Sequence, residues 1–349
     1  AVPALPVAGS FRSIDFALSS MSNSHIQTVA VLTQYNARSL NEHLSSSKWW
    51  NFGRKQGGLF LFTPTVTADN SDWYRGTADA MYQNIDFLKR RHEPYVIISS
   101  GDCVYKLDFN RVLDFHIEKK SDITVVCKDM MYNDDVSRFG VVRMDDESRI
   151  TEFDEKPIEA LSNTISTGIY VIRRRQLIEL LEAAAEENRF DFVNDILVRY
   201  KNVKKIYGYK INSYWNNIAD IDAYFKTNMD FLRPDVRSYF FREEPTICSK
   251  VDDLPPAKFN PGSDISNSLV SSGCIINGRV EDSVLFKQVF VGKNTTVKNC
   301  VILNDVYIGD NVHLENCIVE SRGTINPNTC YCGEDGVMIV KEKNVRYVI

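Results

Sequence analysis

Apolar positions in the C-terminal third of the chain return every 17 residues. Asp282-Ser283-Val284-Leu285, Asn299-Cys300-Val301-Ile302 and Asn316-Cys317-Ile318-Val319 are successive copies. Between them Val289 keeps step with Val306, Val291-Gly292 with Ile308-Gly309, and Val297 with Leu314. A weaker copy, Asn267-Ser268-Leu269-Val270, precedes them at a spacing of 15. Within each copy an apolar position comes about every five or six residues and is followed by Gly, Asn or Asp, which predicts a hexapeptide-type β-helix with three short strands per coil. One coil cannot bury its own face, so several must stack. Cys274, Cys300 and Cys317 then read as small inward hydrophobes.

The pattern upstream is different. Thr28–Thr33, Tyr95–Ser99, Asp122–Lys128 and Gly168–Ile172 are short runs rich in β-branched residues and read as strands. Helical spacing covers Thr77–Arg91 and Arg174–Glu187, where Leu177, Leu180, Leu181 and Ala184 share one face. Strand–helix alternation predicts an α/β domain: a mixed, mostly parallel sheet with helices on both faces. Ligands of such sheets bind beyond the carboxyl ends of the strands, which puts Asp102, just after the Tyr95–Ser99 strand, on the expected rim. Five of the eleven prolines (Pro234, Pro245, Pro255, Pro256 and Pro261) fall in residues 233–262, expected to be an extended linker. The expected domains are therefore 1–232, the linker 233–262, and the solenoid 263–349.

Composition narrows the function. With 44% hydrophobic and 25% charged residues the chain is an ordinary globular protein. A net charge of −5 argues against a nucleic-acid or anionic-membrane partner. No apolar run reaches the ~18 residues of a membrane span, and no signal peptide is visible. The eight scattered cysteines suit reduced thiols in the cytoplasm; Cys330 and Cys332 form only a weak C-x-C metal signal. The chain begins at Ala1, without Met, so upstream residues are expected.

Several ordered motifs resemble the sugar-nucleotide pyrophosphorylases, in particular the bacterial ADP-glucose pyrophosphorylase family. Phe11-Arg12-Ser13-Ile14-Asp15-Phe16 and Asn23-Ser24-His25-Ile26 match its Y-R-x-I-D-F…N-S-x-I stretch, and Thr33-Gln34-Tyr35 its T-Q-Y. Trp73 to Ala80 with Gln83-Asn84 resembles W-Y-x-G-T-A-D-A…Q-N, and Gly101-Asp102 with Val104-Tyr105-Lys106 resembles G-D-H-I-Y-K. Phe153 to Pro157, Ser166 to Tyr170 and Tyr214-Trp215 match F-x-E-K-P, S-M-G-I-Y and the start of Y-W-x-D-V-G. The similarity runs through the solenoid.

The resemblance implies a nucleotide-diphospho-sugar transferase-like domain followed by a left-handed β-helix. It also implies that ATP and glucose 1-phosphate give ADP-glucose and pyrophosphate, for glycogen synthesis. Asp102 would hold Mg²⁺, while Tyr74, Arg75, Gly76 and Thr77 would line the nucleotide pocket. Glu155 and Lys156 would bind glucose 1-phosphate, with Ser166 and Tyr170 in the sugar pocket. A hard carboxylate suits Mg²⁺ and a lysine suits a sugar phosphate.

Four departures weaken the catalytic part of that expectation. The family's lysine before P-A-V aligns with Val2, and the second metal-binding aspartate aligns with Asn217. The P-P-Q of its nucleotide pocket reads Pro64-Thr65-Val66, and the sequence holds no G-x-G-T-R-L loop. Nucleotidyl transfer depends on neutralising phosphate charge, so each lost group would cost ~10²–10³ in rate. This pattern resembles the GlgD-type companion subunit, which assembles with a catalytic subunit as a hetero-tetramer and modulates it. A working adenylyltransferase is the alternative, and a UDP- or dTDP-sugar pyrophosphorylase a more distant one. A hexapeptide acyltransferase would need His313 as base, and Arg173-Arg174-Arg175 could meet an anionic effector.

Overall fold

The computed structural model describes residues 2–35, 37–53, 57–64, 73–131 and 134–343. They form two compact units that do not follow sequence order: residues 20–100 with 107–214, and residues 2–19, 101–106 and 215 onward. No described helix is long and apolar enough to cross a membrane.

The first unit is built on a six-stranded sheet in the order Ile206–Lys210, Ile123–Asp129, Thr164–Arg173, Gly140–Met144, Ile150–Glu155, with Tyr95–Ser99 also paired to Thr164–Arg173. Four strands share one direction. Thr164–Arg173 and Ile150–Glu155 oppose them, and only Ile206–Lys210 pairs with a parallel neighbour, Ile123–Asp129. A separate parallel pair joins Thr28–Leu32 to Gly58–Phe62. The sheet core gathers Val125, Cys127, Phe153, Ile172, Leu181 and Ile196. Each such side chain contributes about 1.5–3 kcal/mol on leaving water.

The helix Arg174–Glu186 buries Leu177, Leu180, Leu181 and Ala184, the face its spacing predicts. The helix Phe109–Glu118 starts at Asp108, whose carboxylate accepts from the Asn110 N–H at 3.0 Å. The expected helix Thr77–Arg91 is instead two, Thr77–Gln83 and Ile85–Lys89. Asn84 divides them; its side-chain amide donates to the Ala80 carbonyl at 2.9 Å and to the Tyr74 hydroxyl at 3.0 Å. A side chain that competes for the backbone in this way interrupts a helix.

The second unit contains the solenoid. Three five-stranded parallel sheets run along it, one per face. Cys274, Cys300 and Cys317 are fully buried in its core beside Val280, Val297 and Leu314. The corners explain the Asn, Asp and Gly positions. Asn267, Asp282, Asn299 and Asn316 form one column of left-handed residues, φ 39° to 54°, and Asn294, Asn311 and Asn328 another, φ 55° to 63°. Their side chains ladder from coil to coil, Asn294 to Asn311 at 3.3 Å and Asn311 to Asn328 at 3.0 Å. The 15-residue step is localised. Ile276 and Arg279 are joined by Asn277-Gly278 alone, where later coils use four residues, as between Val291 and Thr296. A Cβ on Gly278 would lie 2.3 Å from the Thr295 carbonyl oxygen, so this short corner requires glycine.

The same unit holds the paired strands Cys103–Tyr105 and Trp215–Asn217, and the helices Ile221–Asp230 and Pro234–Phe241. The last of these corrects the expectation of an extended linker over 233–262. Pro234 occupies the first turn of a helix, where its missing N–H costs nothing. Phe240 is fully buried and meets Phe16 edge-on at 5.3 Å, while Phe241 stacks on Phe11 at 4.5 Å. Residues 2–19 join this unit as well: Tyr224 donates its hydroxyl to the Pro6 carbonyl at 2.6 Å, and Ser271 donates to the Gly9 carbonyl at 2.9 Å.

Candidate active site

In the first unit the segment Trp73–Thr77 is fastened at both ends. Gln34 accepts from the Tyr74 N–H at 2.6 Å, and the exposed rings of Tyr35 and Trp73 stack at 5.2 Å. Arg75 donates to the buried Asp79 carboxylate from its backbone at 2.8 Å and its guanidinium at 3.0 Å, and lies over the Phe190 ring at 3.7 Å. Gly76 is extended. A Cβ there would fall 2.3 Å from the Phe190 carbonyl oxygen, which accepts from the N–H groups of Ala78 and Asp79. Thr77 accepts from the Phe192 N–H at 3.0 Å. Arg75, Gly76 and Thr77 are thus fixed to the Phe190–Phe192 loop, while Tyr74 is held by Gln34 and Asn84. Burial pushes the Tyr74 hydroxyl pKa upward.

That loop also reaches the residues expected at the sugar phosphate. Asp195 accepts from the N–H groups of Phe190 and Asp191 at 3.0 and 2.9 Å, which shapes the turn. Glu155 ends its strand half-buried. Desolvation raises its pKa, Lys156 opposes this, and the Asp191 carboxylate adds to it. Lys156, in the left-handed region at φ 50°, keeps its Nζ 3.9 Å from Glu155. Gly140 leaves the room Glu155 uses: a Cβ there would stand 2.9 Å from Glu155 Oε2. Ser166 and Tyr170 flank a bulge in the Thr164–Arg173 strand, opened at Gly168 with φ 75°, and their hydroxyls are 3.3 Å apart. Burial raises the Tyr170 pKa, with further contributions from Glu155 and Asp191. Glu155, Ser166, Tyr170 and Asp191 therefore form one polar group around a half-buried carboxylate.

The second unit brings Asp102 and Asn217 together. Asn217 faces Cys103 across the antiparallel pair, and the Ile218 N–H donates to the Asp102 carbonyl at 2.9 Å. The Cys103 thiol donates to Asp102 Oδ1 at 3.3 Å. The Asn217 amide nitrogen donates to Cys103 Sγ at 3.5 Å, and its oxygen accepts from the Ala219 N–H at 3.0 Å. Val2 lies in the turn Val2–Ala4, whose Pro3 would touch a Cβ placed on Gly101. The donors on offer are one carboxylate, one amide oxygen already engaged, and one soft thiol. That set does not build an all-protein cage for Mg²⁺; a lone carboxylate suits a Mg²⁺ that arrives on substrate phosphates and keeps its waters.

Two family models match. "Nucleotidyl transferase" covers residues 1–233, and "GlmU-like, C-terminal hexapeptide" covers 255–340. Curated relatives named glucose-1-phosphate adenylyltransferase are similar through most of both chains. The Clostridium novyi protein is 38% identical over 300 residues, 85% of this chain and 78% of its own. For Clostridium acetobutylicum the figures are 39%, 85% and 79%, and for Thermotoga maritima 37%, 85% and 71%. The chain belongs to the glucose-1-phosphate adenylyltransferase family.

Within this member of the adenylyltransferase family, sequence motifs reached Tyr74 to Thr77, Glu155, Lys156, Ser166, Tyr170, Asp102 and Asn217. The altered nucleotide-pocket positions Thr65 and Val66 lie outside the described residues. Motif reading missed Asp191, Asp195 and Cys103. Asp191 follows Arg189-Phe190 in a stretch with no quoted motif, and Cys103 became visible only through its pairing with Asn217.

Proposed function

We propose that the chain is a non-catalytic or weakly active regulatory subunit of glucose-1-phosphate adenylyltransferase, acting in the cytoplasm in glycogen biosynthesis. It would assemble with a catalytic subunit into a hetero-tetramer and modulate its activity. The carrying observation is the Asp102–Asn217 pair. An adenylyltransferase must offset charge on the transferring phosphates, yet the second position is a neutral amide whose oxygen accepts from Ala219. Val2, an apolar side chain where the resemblance expects a lysine, points the same way. The polar group around Glu155 supports retained binding of a sugar phosphate or nucleotide, with any Mg²⁺ arriving on the phosphates and meeting Asp102. The test is pyrophosphate release by the purified chain with ATP, glucose 1-phosphate and Mg²⁺, alone and with a catalytic subunit. The expected result is little turnover alone and altered kinetics in the mixture; turnover alone at ~1 s⁻¹ or faster would overturn it.

A second reading, an active adenylyltransferase, is favoured by relatives of that name at 37–39% identity. The same assay separates the two.

A further inference from the structure

The last two coils of the solenoid present two cysteines, a histidine and a glutamate on one outer face. His313 and Glu315 stand on one strand, Cys330 and Cys332 on the next, in parallel register with His313 opposite Cys330 and Glu315 opposite Cys332. Strand alternation produces this. Leu314 is buried in the solenoid core and Tyr331 packs against it, so the residues on either side of each turn outward.

The distances suit a small cation. The two cysteine sulfurs are 3.6 Å apart, and His313 Nε2 is 3.5 Å from Glu315 Oε2. One donor atom each from His313, Glu315 and Cys332 lie within 4.8 Å of one another. Two thiolates on a tetrahedral zinc, each ~2.3 Å from the metal, sit ~3.8 Å apart. Disulfide formation fits less well, since alternate residues of an extended strand have Cα atoms ~6.6 Å apart, near the upper limit for a bridge. Glu315 is already divided in function: Oε1 meets Lys298 Nζ at 3.1 Å, and Oε2 faces His313.

We propose that His313, Glu315, Cys330 and Cys332 form a tetrahedral site for a borderline-soft divalent cation, Zn²⁺ by preference. Thiolate and imidazole donors select such a metal over Mg²⁺ or Ca²⁺. The ion would tie the His313–Glu315 rung to the Cys330–Cys332 rung and stiffen that end of the β-helix. Binding would deprotonate the thiols, so affinity rises with pH and protons are released.

The test titrates the reduced full chain with Co²⁺ as a spectroscopic probe and then displaces it with Zn²⁺. Expected are one Co²⁺ per chain with tetrahedral visible bands and thiolate-to-metal charge transfer, displacement by Zn²⁺, and a higher melting temperature with Zn²⁺. Cys330→Ser, Cys332→Ser and His313→Ala should each weaken Zn²⁺ binding about tenfold or more, whereas Cys248→Ser, at an exposed thiol outside the cluster, should not. Glu315→Gln keeps the side chain's shape and should lower affinity, while the loss of its exposed pair with Lys298 lowers melting without metal only slightly. Weak octahedral cobalt spectra, or Zn²⁺ binding that persists undiminished in the Cys330→Ser/Cys332→Ser double variant, would overturn the site.

Discussion

Asn217 lies opposite Cys103 on paired strands, its amide nitrogen 3.5 Å from the cysteine sulfur. A carboxylate at this position would stand beside Asp102 and restore negative charge where the resemblance expects two aspartates. Asn217→Asp should therefore make ATP binding more dependent on Mg²⁺, raising affinity with the metal about tenfold, or about 1.4 kcal/mol. Without Mg²⁺ the like charges should cost a little stability. Calorimetry with and without Mg²⁺ measures this, and an unchanged metal dependence would mean that position 217 does not act on bound Mg²⁺.

Glu155 carries a raised pKa, chiefly through desolvation. The stability linked to its proton is fully present below the unfolded value of 4.5 and is lost as pH rises through the higher folded value. Glu155→Gln should then melt above the parent at pH 7, with the two converging toward pH 4. It should also bind glucose 1-phosphate several-fold more weakly, a stabilising change with a functional cost. Melting at both pH values together with a binding titration tests the pair of outcomes.

His116 shows the opposite linkage. Its Nδ1 meets Thr124 Oγ1 at 2.8 Å, its Nε2 has no hydrogen-bond partner, and burial followed by the Arg173 charge lowers its pKa from 6.5 to about 4. The unfolded chain takes up the proton first, so stability falls as pH drops from about 6.5 to 4. The loss is about 3 kcal/mol at most. Urea unfolding across that window should show the slope, and His116→Gln should flatten it.

Leu314 is fully buried between coils of the solenoid. Leu314→Ala leaves a void in a narrow core that cannot easily collapse, and should cost about 3 kcal/mol in denaturant unfolding. A loss below about 1 kcal/mol would mean that the coils slide to fill it.

The solenoid was legible because its inward residues and its left-handed corners repeat with the backbone itself. The 15-residue step was readable too, although only the fold shows that it falls at Asn277-Gly278. The helix Pro234–Phe241 was not legible. The five prolines of residues 233–262 suggest a linker, and what stabilises the helix is Phe240 meeting Phe16, a partner more than two hundred residues away. Asn84 likewise sits inside an unbroken helical spacing, and the break comes from the reach of its amide to Ala80 and Tyr74. At the site, motifs named the side chains but not their company. Asp191 acts on Glu155 and Tyr170 only because the chain returns there through the Phe190–Phe192 loop.

The membership of residues 2–19 in the second unit bears on how the protein is made. Gly9 bonds Ser271, which lies 262 positions later, and Pro6 bonds Tyr224. Contacts of such sequence separation close slowly, because loop entropy is lost before they form. On the ribosome, the Pro6–Gly9 segment emerges long before the coil that receives it. It must wait there, with Val7 and Ala8 unburied, until the helix Ile221–Asp230 and then the solenoid are synthesised. A nascent chain stalled or cut near residue 214, before Tyr224 and Asn228 are made, should therefore hold a folded sheet together with a loose early segment, open to chaperones and proteases.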